Sequence, residues 1–194
     1  PRHDHMSMRA DTAGDGLSSI FVTGDAAIEL PLLHEAADEG RIAGENAARY
    51  PEVYRRARRT GLGVVFSDPQ IAIAGRGQGD LTKAGIDFAY GEVSFEDQGR
   101  ARVIGKDKGL LRVYAERETG ILLGAEMIGP AAEHIGHLLA WTIESRLTVI
   151  ETLQRPFYHP VLEEGLRTAL RNLAAELEFG PSPPLRCIDC GPGG

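Results

Sequence analysis

The stretch "RPFYHPVLEEGLRTAL", residues 155–170, sets His159 directly before Pro160 with Glu164 five residues further on. Proline fixes its own backbone and suits the first turn of a helix, whereas the residue before it is pushed toward extended geometry. This predicts His159 at the mouth of a helix running from Val161 to Leu177. Glu164 then falls within the first turn and a half, where the helix dipole favours a negative charge. A carboxylate that accepts the N–H of one imidazole nitrogen leaves the other nitrogen as a base. The pattern is that of an acid/base pair. Glu163, four residues from His159, is a competing partner that spacing does not separate from Glu164. The plain alternative is a helix cap beside a routine acidic first turn.

A second carboxylate stands at Asp25, where Gly24 ends the apolar run Ile20 to Thr23. An aspartate at the end of a buried strand presents its oxygens in a loop above the sheet, suited to hydroxyl groups or a metal. The helix expected from Pro31 onward directs free backbone N–H groups to the same region, where an anionic ring or phosphate is stabilised. The alternative is an Asp that serves its own turn by local hydrogen bonds. The histidines do not form a metal pattern. His34, His134, His137 and His159 are dispersed, and His134 and His137 lie at i, i+3 on a helix with a core-like face and no third ligand at a usual spacing. His3 and His5 belong to a polar terminus. The "CIDC" of Cys187 and Cys190 has a spacing that serves redox pairs and half zinc sites, but without two further ligands nearby it reads as ordinary thiols on a Pro/Gly-rich tail.

The elements that must hold these groups follow from periodicity. Residues 1–18 are polar and read as loop. "PLLHEAADEGRIAGENAARY" spaces Leu33, Ala36, Ala37, Ile42 and Ala43 at helical intervals. From Gly61 the texture becomes alternating: "GLGVVFS" and "QIAIAG" are short strands about a "DPQ" turn, and "LTKAGI" is one helical turn before the strand "FAYGEVSF". In "KGLLRVYAERETGILLGAEMIG", Leu111, Val113 and Ala115 alternate with Arg112, Tyr114 and Glu116, and Glu118-Thr119-Gly120 supplies a hairpin turn. "AAEHIGHLLAWTIESRL" follows as a helix with Ile135, Leu138, Leu139, Thr142 and Ile143 on its apolar face. Strands in succession followed by helices predict an α+β domain on an antiparallel sheet flanked by helices.

Composition narrows the class. The 194 residues are 42% hydrophobic, enough for one domain with an appendage, and a net charge of -7 disfavours nucleic acid and anionic membranes as partners. No apolar run is long enough to span a bilayer, and no charged-then-apolar leader opens the chain, so a soluble cytoplasmic protein is expected. The start at Pro1 without methionine fits a piece of a longer or processed chain.

Three groups of segments, taken in order, resemble the C-terminal part of the flavin-dependent pyridine nucleotide–disulfide oxidoreductases, most closely the dihydrolipoamide dehydrogenase branch. "IFVTGDA" with "PLLHEAADEGRIAGENA" is similar to the family's second flavin-binding motif and the helix after it. "VVFSDPQIAIAG", "AGIDFAYGEVSF" and "GILLGAEMIGPAAEHI" resemble its interface domain, and "FYHPVLEEGLRTAL" its terminal His-Pro…Glu motif. The resemblance implies that residues 1–60 are the closing strand and helix of an FAD-binding domain, 61–179 a dimerisation domain and 180–194 a flexible tail. It gives Asp25, presented by Gly24, a ribityl hydroxyl of FAD, and it places the backbone amides of Leu32, Leu33 and His34 at the pyrimidine edge of the flavin. It makes His159 the base acting across a homodimer on the partner's redox thiols, with Glu164 as its orienting carboxylate. Dihydrolipoamide, carried on the lipoyl domain of a multienzyme complex, would be the reductant and NAD the final acceptor. The family's redox cysteine pair, N-terminal Gly-rich fingerprint and NAD domain are not among these 194 residues, so the piece is expected to be inactive alone. "IAGRGQGDL" carries no dinucleotide signal, lying in the interface region. Val161 stands where the family commonly has threonine. Within the family, glutathione reductase shares the His…Glu logic, and mercuric reductase uses a C-terminal cysteine pair but a tyrosine where His159 stands. A non-catalytic dimerisation module is the alternative from another class.

Overall fold

The computed structural model describes residues 8–9, 20–27, 32–53 and 58–178, and the chain divides into two compact units, residues 1–59 and 60–194. In the first unit, strand β1 (Met8–Arg9) pairs antiparallel with β2 (Phe21–Val22), Met8 opposite Val22. The strand expected over Ile20–Thr23 is therefore shorter, and its partner lies in a stretch whose polar composition reads as loop. Two residues are too few to show alternation, so backbone pairing decides what side-chain pattern does not. A 3₁₀ turn, Gly24–Ala27, follows, and then the 17-residue helix α1 (Leu33–Arg49). The expected start at Pro31 lies outside the described residues.

The buried side of α1 differs from its apolar spacing. Leu33 is 88% exposed, while Glu35, Glu39, Ile42 and Asn46 are buried. These positions are separated by four, three and four residues, so they form one helical stripe. Two carboxylates in such a stripe are costly unless paired. Arg58 supplies the pairing: its Nη1 lies 3.7 Å from Glu35 Oε2 and its Nη2 contacts Glu39 Oε1.

The second unit is built on a five-stranded antiparallel sheet of β3 (Leu62–Val65), β4 (Gln70–Gly75), β5 (Phe88–Ser94), β6 (Leu110–Glu116) and β7 (Leu122–Gly129). Their spatial order is β3-β4-β7-β6-β5. The α+β sheet flanked by helices is thus as the sequence predicts. The β6–β7 hairpin pairs Leu111 with Met127 and Val113 with Ala125, and Gly120 takes the left-handed conformation its turn requires (φ 68°).

Short helices α2 (Gln78–Lys83) and α3 (Gly99–Val103) precede and follow β5. Helices α4 (Ala132–Glu144), α5 (Val149–Leu153) and α6 (Glu164–Glu176) complete the unit. Leu111, Val113, Ala115, Ala125 and Met127 on one sheet face join Ile135 and Leu139 of α4 and Leu166, Leu170 and Leu173 of α6 in a single core. Each buried Leu or Ile contributes roughly 1.5–3 kcal/mol of transfer free energy. Close approach of α6 to β5 depends on Gly91, where a Cβ would sit 2.1 Å from the Ala169 carbonyl oxygen. Leu138, expected on the apolar face of α4, is 38% exposed, and Gly136 packs toward Ala72 and Leu62 instead. Helix α4 turns its smallest residue to the sheet so that it can lie close.

The opposite sheet face is mixed. Ile73, Ile128 and Tyr90 are 43%, 43% and 47% exposed. Tyr114 is buried there and donates its hydroxyl to Glu126 Oε2 at 2.5 Å. Burial, with the hydrogen bond to Glu126 second, raises its phenol well above the ordinary value of 10.0. No helix among the described residues is long and apolar enough to cross a membrane.

Candidate active site

The His-Pro segment is anchored from behind before it is aimed. Phe95, just past β5, is fully buried, and Gly165 at the start of α6 lies against its ring: a Cβ there would be 3.1 Å from Phe95 Cε1. Three residues on, the Gln98 side chain caps α3 by accepting from the Ala101 amide at 2.6 Å. Its Nε2 donates to the Val161 carbonyl at 2.7 Å. One amide side chain thereby joins the loop after β5 to the loop that carries His159. Sequence reading missed Gln98, because nothing local in "EDQGRAR" announces a bond made 63 residues away.

Helix α6 begins at Glu164, not at Val161. The reason is visible in the hydrogen bonds: the Val161 carbonyl accepts from Gln98 and the Gly165 N–H bonds the Leu162 carbonyl, so Val161 opens no helical ladder, while its N–H is held by Glu164 Oε2 at 3.2 Å. Residues 159–163 form turns, with the His159–Pro160 peptide cis. Val161 meets both partners through its backbone. The exchange of threonine for valine expected at this position therefore leaves these bonds in place.

Glu164 reaches His159 with its other oxygen, Oε1 to Nδ1 at 2.9 Å. Of the two glutamates that spacing leaves equivalent, Glu164 is the partner. Its carboxylate thus clamps a backbone amide and an imidazole at once. The carboxylate is mostly buried (16% exposed) and the imidazole mostly open (68%). With Nδ1–H pointed at a carboxylate, the lone pair resides on Nε2, the accessible side of the ring. Such a group can take a proton from an incoming thiol and return it.

In the first unit, Asp25 is exposed within the 3₁₀ turn, immediately after Gly24 in the left-handed conformation (φ 65°). Gly24 packs on the first turn of α1: a Cβ there would lie 3.1 Å from Ala36 Cβ. At the helix start, Leu32 is extended and makes no side-chain capping bond, and Leu33 and His34 are exposed. An exposed carboxylate followed by a helix start that its N-cap side chain does not cap is a donor and acceptor set that would fit FAD: hydroxyl donors for Asp25 and an electron-rich ring edge for the amides of Leu32, Leu33 and His34. Asp25, Leu32, Leu33 and His34 belong to one unit and His159 and Glu164 to the other.

On α4, His134 and His137 make local contacts, and His3 and His5 lie outside the described residues. His137 Nδ1 lies 2.6 Å from the Glu133 carbonyl, and His134 Nε2 lies 3.6 Å from Glu133 Oε1. Both are on the exposed side of α4, and no cluster of three metal-binding side chains occurs among the described residues. Cys187 and Cys190 lie outside the described residues.

Comparisons with known proteins bear on the family and the fold. A family profile described as pyridine nucleotide-disulphide oxidoreductase, dimerisation domain, matches residues 62–170. The chain is 32% identical to a dihydrolipoyl dehydrogenase of Haloferax volcanii over 79% of its own length and 32% of the relative's. It is 33% identical to a dihydrolipoyl dehydrogenase of Halobacterium salinarum over 87% of its length and 35% of the relative's. It thus spans about a third of the curated relatives it matches. Among solved structures, LpdA from Mycobacterium tuberculosis superposes with a TM-score of 0.67 at 26% identity, covering 79% of this chain and 33% of that one. The chain belongs to the pyridine nucleotide-disulphide oxidoreductase family and carries its dimerisation domain.

Proposed function

We propose that this chain is the C-terminal portion of a dihydrolipoamide dehydrogenase-type flavoenzyme, in which it provides the homodimer contact and the acid/base pair His159–Glu164. The observation that carries the reading is the double grip of Glu164, which fixes His159 Nδ1 at 2.9 Å and the Val161 amide at 3.2 Å while the ring stays open. A helix cap would satisfy the amide alone.

In this reading His159 acts on a dithiol held against the partner subunit. Nε2 takes the proton from a thiol of dihydrolipoamide, the resulting thiolate attacks a protein disulfide, and the proton returns to the sulfur that leaves. Glu164 holds the ring in the productive tautomer and stabilises the imidazolium while the proton resides there. Asp25 and the amides of Leu32, Leu33 and His34 would hold FAD, whose chemistry when bound is to accept the electron pair and pass it to NAD. Residues 1–60 are on this reading the end of the FAD-binding domain and 61–179 the dimerisation domain. The lipoyl domain of a multienzyme complex is the proposed donor of substrate.

The test is His159→Gln in the full-length protein. Lipoamide reduction by NADH should fall roughly a hundredfold or more, as for loss of a general acid–base group, with the flavin spectrum unchanged. Activity equal to wild type would return His159 to a capping role and leave a non-catalytic dimerisation module as the function of this chain.

A further inference from the structure

Glu39 does something its ion pair with Arg58 does not require. Its Oε1 contacts Arg58, which would by itself compensate the buried charge. Its Oε2 turns the other way and accepts the Gly24 amide at 2.6 Å, across 15 residues of sequence. The carboxylate is 8% exposed at the residue level, so the bond is made away from bulk water. A buried bond between an amide and a charged acceptor is among the stronger ones a side chain makes. The residue it grips is the left-handed glycine that opens the 3₁₀ turn, and the next residue is the exposed Asp25. Fixing the Gly24 peptide plane fixes the direction from which the turn, and Asp25 with it, departs. Packing against Ala36 limits the position of Gly24, but only a hydrogen bond sets the rotation of its amide.

We propose that Glu39 is a positioning residue for the cofactor: a latch from α1 to the Gly24 amide that holds Asp25 in register for a ribose-like hydroxyl chain. The inference rests on the reading of Asp25 as an FAD contact. Glu39 touches no cofactor in this scheme and acts through Asp25.

The experiment uses the full-length protein freed of flavin and titrated with FAD. Because a lone Glu39→Gln would offer its one acceptor oxygen to both Arg58 and Gly24, two double variants are compared, each also carrying Glu35→Gln so that the loss of Arg58 leaves no buried carboxylate unpaired. Arg58→Met/Glu39→Gln keeps an acceptor for Gly24, whereas Arg58→Met/Glu39→Met does not. The second should bind FAD about tenfold more weakly than the first, which corresponds to about 1.4 kcal/mol. Its apoprotein should also exchange amide hydrogens faster over residues 20–27. When Asp25→Ala is added to both, the difference in affinity should vanish. Equal FAD affinities for the two doubles, or a difference that survives Asp25→Ala, overturns the latch. The wild-type apoprotein gives an independent check: a Gly24 amide that exchanges at the rate of an unstructured peptide also overturns it. If Asp25→Ala alone leaves FAD affinity at the wild-type value, the FAD reading of Asp25 fails, and the latch proposal falls with it. If Asp25→Ala weakens binding and the doubles are equal, only the latch fails.

Discussion

Two glutamates in this chain have the same job description and opposite surroundings. Glu39 and Glu164 each divide their two oxygens between a backbone amide and a basic side chain. Around Glu39 the basic side chain is Arg58, itself only 19% exposed, and both carboxylate oxygens are committed to holding the chain. Around Glu164 the basic side chain is His159, 68% exposed, and one ring nitrogen is left over. The difference is in what remains after the hydrogen bonds are counted. A guanidinium stays charged and closed, whereas an imidazole gripped on one side remains able to exchange a proton on the other. The same carboxylate geometry builds structure in one unit and, on the proposed reading, orients a base in the other.

That contrast can be tested in descending order of effect, after the His159→Gln experiment. Glu164→Ala removes both grips. In the full-length enzyme it should lower lipoamide turnover by about tenfold to a hundredfold, less than loss of the base itself. Its effect on FAD affinity should be nil, which is the point at which it parts from Glu39. A turnover unchanged by Glu164→Ala would show that the ring needs no orienting carboxylate. The support behind Glu164 is probed by Gly91→Ala, whose new Cβ meets the Ala169 carbonyl oxygen at 2.1 Å and the Leu173 nitrogen at 2.5 Å. Backbone cannot yield as a flexible side chain does, so α6 must move, at about 1–3 kcal/mol of stability measured by denaturant unfolding. An unperturbed midpoint would mean that α6 is not seated on β5 as described.

The smallest effect concerns Tyr114, a buried acid with no open side. Its phenol is raised by burial and by the bond to Glu126, so the folded state holds the neutral form. A raised value means that this contribution to stability is complete below the unfolded pKa, ordinarily 10.0, and is lost as pH rises beyond it. Wild type should therefore lose stability above that pH more steeply than Tyr114→Phe. At neutral pH the variant should cost about 1 kcal/mol, the usual net worth of one hydrogen bond. Parallel alkaline unfolding curves would remove the assignment.

The sheet and the contact between His159 and Glu164 were legible because they are written locally. Leu111, Val113 and Ala115 alternate in a hairpin with a glycine at its turn, and His159, Pro160 and Glu164 lie within one short stretch. What escaped was written at a distance or too briefly. Glu35 and Glu39 look like the solvent side of α1 until Arg58, 19 residues beyond Glu39, is seen to neutralise them. The choice of Glu164 over Glu163 follows from where α6 starts, and that start is set by Gln98 and the Val161 backbone. Helix α5 did leave a signal that went unread: Thr148 and Glu151 form a reciprocal capping box, bonding each other's amides across three residues. Hydrogen bonds from Thr148 hold the Glu151 carboxyl below its ordinary value, a local effect at an exposed helix end. Strand β1 left none, since two residues cannot display a period.

The Gln98 amide also narrows the range of residues that position can hold. It must accept from the Ala101 amide and donate to the Val161 carbonyl with one planar head. A glutamate could accept but has no proton for the carbonyl, a lysine could donate but not accept, and asparagine has the right head on a shorter stem. The demand is for both polarities at a fixed reach. Glutamine meets it with both polarities on one neutral amide head, so the loop that carries His159 depends on the grammar of a single side chain.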